Sequence, residues 1–244
     1  MAQAEETPVR TRPRDMTRPA AARSTESDER AIRALNVFVA SLILLVTLPL
    51  WLVIAAAIKL TSRGPVFYTQ LRVGLDVRRQ PDRRGPGRDP NARRADDIGG
   101  RPFTIMKFRT MRVDAEAHGN AVWATANDDR LTLIGGFLRS CRADELPQLL
   151  NVIRGEMNLV GPRPERPQLF SQLRARIPDY QKRQRVPPGI TGHAQVHLQY
   201  DTSVDDVKRK VEHDLEYIAR RTVWEDLRIM LKTIPVMLFR KGGW

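Results

Sequence analysis

Twenty-five consecutive positions, ALNVFVASLILLVTLPLWLVIAAAI at 34–58, carry no charge. As a helix this run is about 37 Å long, more than the roughly 30 Å hydrocarbon core of a bilayer, so the pattern predicts a membrane helix. Pro49 falls near its middle, where it removes a backbone hydrogen bond and bends or breaks the helix. Basic residues flank both ends, Arg30 and Arg33 before and Lys59 and Arg63 after. That leaves little of the charge asymmetry that orients a spanning helix. Two arrangements follow. The helix crosses the membrane, or it breaks at Pro49, dips in and returns to the same face, with Trp51 near the deepest point.

Downstream the pattern changes. VFYTQLRV (66–73) and PFTIMKFR (102–109) read as two strands of a hairpin. Between them, 76–100 is rich in Arg, Pro, Asp and Gly and predicts a flexible loop whose arginines either meet anionic head groups or are simply solvated. From residue 114 onward helical spacing dominates. DAEAHGNAVWATA is a weak helix candidate, LTLIGGFLRSCR an amphipathic one, and ELPQLLNVIRG a helix ended by Gly155. Further candidates are 165–182, 205–220 and WEDLRIMLKTIPVMLF, the last suited to packing on a core or lying on a membrane surface. The PPGITG segment (187–192) reads as a turn. Residues 1–29 are charged, proline-containing and without apolar period, a disordered arm. The expected class is α+β, mostly helical: membrane helix 30–62, then a catalytic or binding domain 63–240 built on a short β-hairpin and amphipathic helices at the membrane interface.

Lys plus Arg number 41 and Asp plus Glu 28, a net charge of +13. Such a surface favours nucleic acid, anionic lipid or a phosphorylated substrate. Aromatic residues interleaved with basic ones are sparse, which argues against nucleic acid. Cys141 is the one cysteine, so no internal disulfide forms. His193 and His197 would share a face only if that stretch were helical. Beside Gly192 it reads as a turn, so zinc is not expected there.

Against this basic background Asp144 and Glu145 stand side by side in CRADELPQLL. Pro147 belongs in the first turn of a helix, where acids are favoured, so an ordinary helix start explains them. The same position also suits a carboxylate nucleophile or metal ligand. Successive helical residues point about 100° apart, so the two would take different tasks. Lys107 and Arg109 alternate onto one strand face. Arg163, between two prolines in LVGPRPE, sits on a stiff backbone that suits a two-oxygen grip on phosphate. Each of these cations could equally be solvated. No G-x-x-x-x-G-K-[ST] or dinucleotide fingerprint is present.

Taken in order, SRGPVFYTQLRVG, PFTIMKFRTM, LTLIGGFLRSCRADELPQLLNVIRGEMNLVGPRPE, PGITGHAQV and DLEYIARRTVWEDLRIMLKTI resemble the bacterial sugar transferases, small monotopic phosphoglycosyl transferases acting on polyprenyl phosphate. The resemblance covers about residues 30–238, and the ordered set is far more specific than any one motif. It implies transfer of a sugar-1-phosphate from a nucleotide sugar, usually UDP-linked, to polyprenyl (undecaprenyl) phosphate, with UMP leaving. This is the first lipid-linked step of a surface glycan such as exopolysaccharide, O-antigen or capsule. By similarity Asp144 attacks phosphorus, forms a phospho-sugar ester and touches a required Mg²⁺, while Glu145 supports it. Lys107, Arg109, Arg139 and Arg163 align with phosphate-contacting or site-forming positions. The 34–58 run matches a re-entrant helix broken at Pro49, which places the catalytic domain on the cytoplasmic face of the bacterial inner membrane.

The sequence departs from the family at His193, where a large apolar residue is usual, and in a longer 76–100 loop. It resembles the minimal catalytic type, without further N-terminal membrane helices. A homodimer is compatible with the chain, which carries no interface signature. HLQYDTSVDD (197–206) is a candidate for sugar selection. Two other classes remain: a glycosyltransferase releasing UDP, and a non-enzymatic basic membrane adaptor.

Overall fold

A 36-residue helix, α1 (Glu26–Thr61), opens the computed structural model, which describes residues 26–76, 99–115, 128–198 and 203–239. Of the expected disordered arm, 1–29, residues 26–29 are instead the first turn of α1, and the part up to residue 25 lies outside the described residues, as do most of the 76–100 loop, most of the helix candidate at 114–126 and residues 199–202. Helical geometry in α1 continues through Pro49, so the predicted break is at most a bend within one helix. Three acids occupy its first turn and Lys59 its last, as the helix dipole favours.

Strands β1 (Phe67–Val73) and β2 (Pro102–Phe108) form the expected antiparallel hairpin, with Phe67 opposite Phe108 and Tyr68 opposite Lys107. Odd positions of β2 face inward: Phe103 and Ile105 are buried, and strand alternation puts Lys107 on that same face. The helix expected at 131–142 is confined to α2 (Gly135–Ser140). α3 (Gln148–Arg154) begins after Pro147 and ends at Gly155, whose φ of 82° supplies the left-handed turn that stops a helix.

A second sheet was not legible in the pattern. β3 (Asn158–Val160) pairs in parallel with β4 (Gly189–Thr191), so the predicted turn at PPGITG is in part a strand. Three-residue strands are too short to show alternation. α4 (Pro167–Arg176) is shorter than expected and is followed by a 3₁₀ segment, Tyr180–Arg185. α5 (His193–His197) is a helix where a turn was expected. α6 (Val204–Arg220) starts at a capping box between Ser203 and Asp206, and α7 (Val223–Phe239) closes the described chain.

Both ends of α1 attach to the same domain. Near its start, Arg33 donates to the Val152 and Ile153 carbonyls at 2.6 and 2.7 Å, satisfying the end of α3. Asn36 accepts from the Leu159 amide in β3, and Glu29 pairs with Arg221 at 2.6 Å. Near its end, Trp51, Ile54 and Ile58 are buried with Phe108 and Leu138. Trp51 meets Phe108 edge-on at 5.3 Å between ring centroids. It therefore packs against the hairpin and is not among the exposed residues in the middle of α1. Between these anchors, Leu42, Leu45, Val46, Leu48, Leu50, Leu52 and Val53 are exposed. The main core joins α1, β2, α3, β3, α6 and α7 through Ala40, Ile105, Val152, Leu159, Tyr217 and Ile229.

Candidate active site

Asp144 and Glu145 are not in the first turn of α3. They form a separate 3₁₀ turn, Ala143–Glu145, entered through Arg142 in the left-handed region at φ 54°. For a non-glycine residue that conformation is uncommon. It points both acids inward, where they are 6% and 7% exposed. Their partner is Lys107, whose inward position on β2 the strand alternation dictates. Its Nζ lies 2.7 Å from Glu145 Oε1 and 3.5 Å from Asp144 Oδ2. Arg163, in the extended segment after β3, reaches the same Glu145 oxygen at 2.9 Å, and Arg142 lies 3.9 Å from the other.

The two acids therefore have opposite environments. Burial raises the Glu145 pKa, but Lys107, Arg163 and Arg142 outweigh it and hold the carboxyl far below the usual range. Burial also raises Asp144. There Lys107 pulls down more weakly and the Glu145 charge pushes further up, so its carboxyl stays above the ordinary value. Glu145 is a matched ion and Asp144 an under-compensated one.

Asp144 lines a cavity of about 340 Å³ between β1, β2 and α2, and Glu145 does not. Among the described residues, Asp144 is the only acid lining it. The cations are Lys107, Arg72, Arg109, Arg112, Arg130, Arg139 and Arg166. Arg139 is fixed through Nε to the Thr110 hydroxyl at 3.2 Å. Arg109 lines the cavity, yet its guanidinium bonds the end of α1: the Ser62 carbonyl at 3.0 Å, the Ser62 hydroxyl at 2.8 Å and the Arg63 carbonyl. The structure thus brings Lys107 and Arg163 to the acids, sets Arg139 on the cavity wall and ties Arg109 to the end of α1.

Sequence reasoning missed Arg72, Arg112, Arg130 and Arg166 as lining residues. The alternation of β1 puts Arg72 on one face with Tyr68 and Gln70, two other lining residues, and could have found it. Arg130 is set by its contacts with Asp128 at 2.6 Å, which no local pattern announces.

A model of the bacterial sugar transferase family matches residues 27–81 and 90–240. The chain belongs to this family. Curated relatives include the UDP-glucose:undecaprenyl-phosphate glucose-1-phosphate transferases of Caulobacter vibrioides, 40% identical over 208 residues, and of Klebsiella pneumoniae, 39% over 202. A UDP-N-acetylgalactosamine-undecaprenyl-phosphate N-acetylgalactosaminephosphotransferase of Aeromonas hydrophila is 39% identical over 211 residues. These alignments cover 84%, 82% and 86% of this chain but 69%, 38% and 44% of the respective relatives. The chain thus spans less than half the length of two of them. The bacterial sugar transferase match includes the long helix, the hairpin, the acidic turn and the Arg163 segment.

A hard divalent cation bound in this cavity would be held by Asp144. Asp144 offers oxygen to the cavity, and its under-compensated charge is what a cation would balance. Mg²⁺ is commonly held by one or two carboxylates with substrate phosphates and water. Glu145 is already engaged by Lys107 and Arg163.

Proposed function

We propose that this bacterial sugar transferase moves a sugar-1-phosphate from a UDP-sugar to undecaprenyl phosphate, starting a lipid-linked surface glycan. The observation that carries the reading is the division of the acidic pair: Asp144 alone faces a cavity walled by cations, and Glu145 stands behind it in ion pairs. Two polyanions repel each other, and phosphoryl transfer between them depends chiefly on position and charge neutralisation. An Asp144 oxygen attacks the sugar-bearing phosphorus; its bond to the UMP oxygen breaks and UMP leaves. A phosphate oxygen of the lipid then attacks the same phosphorus, and the Asp144 carboxylate departs. Lys107, positioned by Glu145, balances charge at Asp144. Arg139 faces the phosphates, and Arg163 keeps Glu145 in place. Arg109 couples the site to the end of α1. Mg²⁺ held by Asp144 would neutralise phosphoryl oxygens.

The membrane reading rests on α1. A straight helix of 36 residues is about 54 Å long, yet both its ends attach to one domain and its middle exposes apolar side chains. A bent, re-entrant course, with the domain on the cytoplasmic face, accounts for both. Exposed Leu133 and Phe137 near α2, and Trp224, Leu231 and Ile234 on α7, are suited to the same interface.

The test is nucleotide release from detergent-purified protein given a UDP-sugar panel, Mg²⁺ and undecaprenyl phosphate. UMP that requires the lipid phosphate and is absent with Asp144→Asn is expected. UDP would overturn the proposal in favour of simple glycosyl transfer. No release from any donor would leave the basic adaptor class.

A further inference from the structure

Away from the acidic turn, three imidazoles converge. α5 places His193 and His197 four residues apart, hence on one face, with ring centroids 4.3 Å apart. His213 from α6 completes the group at 5.2 and 5.8 Å from them. One nitrogen of each lies within 4.8 Å of the others. None of the three lines the cavity beside Asp144. We propose that His193, His197 and His213 bind one divalent transition-metal ion of the zinc class, bracing α5 against α6.

The geometry matches such an ion. His193 Nδ1 and His213 Nδ1 face each other at 3.3 Å. With Zn–N bonds of about 2.1 Å, two ligands of a tetrahedral site lie roughly 3.4 Å apart. His197 Nδ1 meets the His193 carbonyl at 2.8 Å, and its Nε2 meets Lys232 Nζ at 3.2 Å. Both contacts assign the proton to Nδ1 and a lone pair to Nε2, the arrangement of a ligand held by an outer carbonyl. Lys232 is exposed, so its side chain is free to turn into solvent when an ion takes that lone pair. Glu216 and Glu225 act electrostatically on His193 and add negative field that favours a cation. Imidazoles suit zinc, nickel or copper and not Mg²⁺, so this ion is distinct from one at Asp144.

The brace has something to hold. A five-residue helix is not stable alone. α5 follows β4 directly, and β4 is the pairing partner of β3, three residues before Arg163. Fixing α5 would steady the sheet from which the Arg163 segment leaves.

The experiment uses the full chain without an affinity tag, in detergent, with excess Mg²⁺. Co²⁺ is titrated as a spectroscopic probe and then competed with Zn²⁺. One equivalent with tetrahedral cobalt bands, displaced by Zn²⁺, is expected. His213→Gln, and the exposed-site variant His197→Gln, should each weaken binding by more than the roughly 10–100-fold typical of losing an outer partner. Asp144→Asn should keep the bands. Zn²⁺ at a hundredfold excess over Kd should raise the wild-type Tm by roughly 5–10 °C and leave His197→Gln unmoved. Absence of the bands, their survival in both histidine variants, or their loss in Asp144→Asn would each overturn the site.

Discussion

Replacing Asp144 and Glu145 one at a time separates reactivity from stability, because their environments differ. Glu145→Gln removes the charge that two cations share, at 2.7 and 2.9 Å, in a side chain only 8% exposed. Breaking a buried pair costs about 3–5 kcal/mol. Arg163 is 35% exposed, and Lys107 retains Asp144, so the low end applies, about 3 kcal/mol. For a protein of this size that is a fall of about 6–12 °C in Tm. Asp144→Asn does the reverse. Its ionised form is disfavoured by burial, so neutralising it should leave Tm unchanged or higher, while turnover falls by a factor on the order of 10⁴–10⁶. The pH dependence follows in sign. Glu145 has a lowered folded pKa, so its stabilisation is complete above its unfolded value and disappears as pH falls through the folded one. Asp144 has a raised folded pKa, so its cost is present at neutral pH and is relieved as pH falls through that value. The advantage of Asp144→Asn should therefore shrink on acidification. The assays are thermal unfolding in detergent, UMP release, and capture of labelled sugar-phosphate on the protein without lipid acceptor. Equal destabilisation by the two variants would refute the asymmetry, and label captured on Asp144→Asn would refute the nucleophile.

Chelating divalent cations should stop UMP release, and Mg²⁺ should restore it in wild type but not in Asp144→Asn. Arg139→Ala should lower kcat/KM for the UDP-sugar by about 10²-fold, the scale of one lost charge-stabilising donor, with little change in Tm. Asn36→Leu should lower stability by about 1–3 kcal/mol, since the Leu159 amide loses its buried acceptor, without changing the nucleotide released. In a Cys141→Ser background, Asp28→Cys and Thr61→Cys should label from the same side of sealed vesicles; labelling from opposite sides would establish a spanning helix.

Long, periodic features were legible in the sequence: the apolar run, the hairpin, α3 with its Gly155 stop, α6 and α7. What the sequence hid depends on contacts between distant segments. β3 and β4 are stabilised by each other and by the core around Val160, not by local propensity. The 3₁₀ turn of Asp144 and Glu145 requires the left-handed Arg142, a residue type that gives no warning of it. α5 was hidden by Gly192, which sits at φ −167° as an ordinary extended cap and does not turn the chain. Strand alternation and flanking prolines marked Lys107 and Arg163 as candidates but left a solvated cation open for each; the structure places both beside Glu145.

The net charge of +13 points to an anionic partner, but the structure gives the arginines at least three separate tasks. Arg33, Arg109 and Arg221 hold α1 to the domain through the Val152 and Ile153 carbonyls, Ser62 with the Arg63 carbonyl, and Glu29 respectively. Arg183 is fully buried and bonds Asp214 at 2.7 Å and the Tyr180 hydroxyl at 2.8 Å, a purely internal task. Arg72, Arg112, Arg130, Arg139 and Arg166 face the cavity. Arg109 belongs to two of these groups, since it also lines the cavity. Its side chain therefore links the residues that follow α1 to the wall of the site. A bend or tilt of α1 that moves Ser62 must move Arg109 or break its bonds. The position of the end of α1 and the geometry of the cations around Asp144 are thus coupled through one side chain, which under the proposed function would link the lipid-facing helix to the site of phosphoryl transfer.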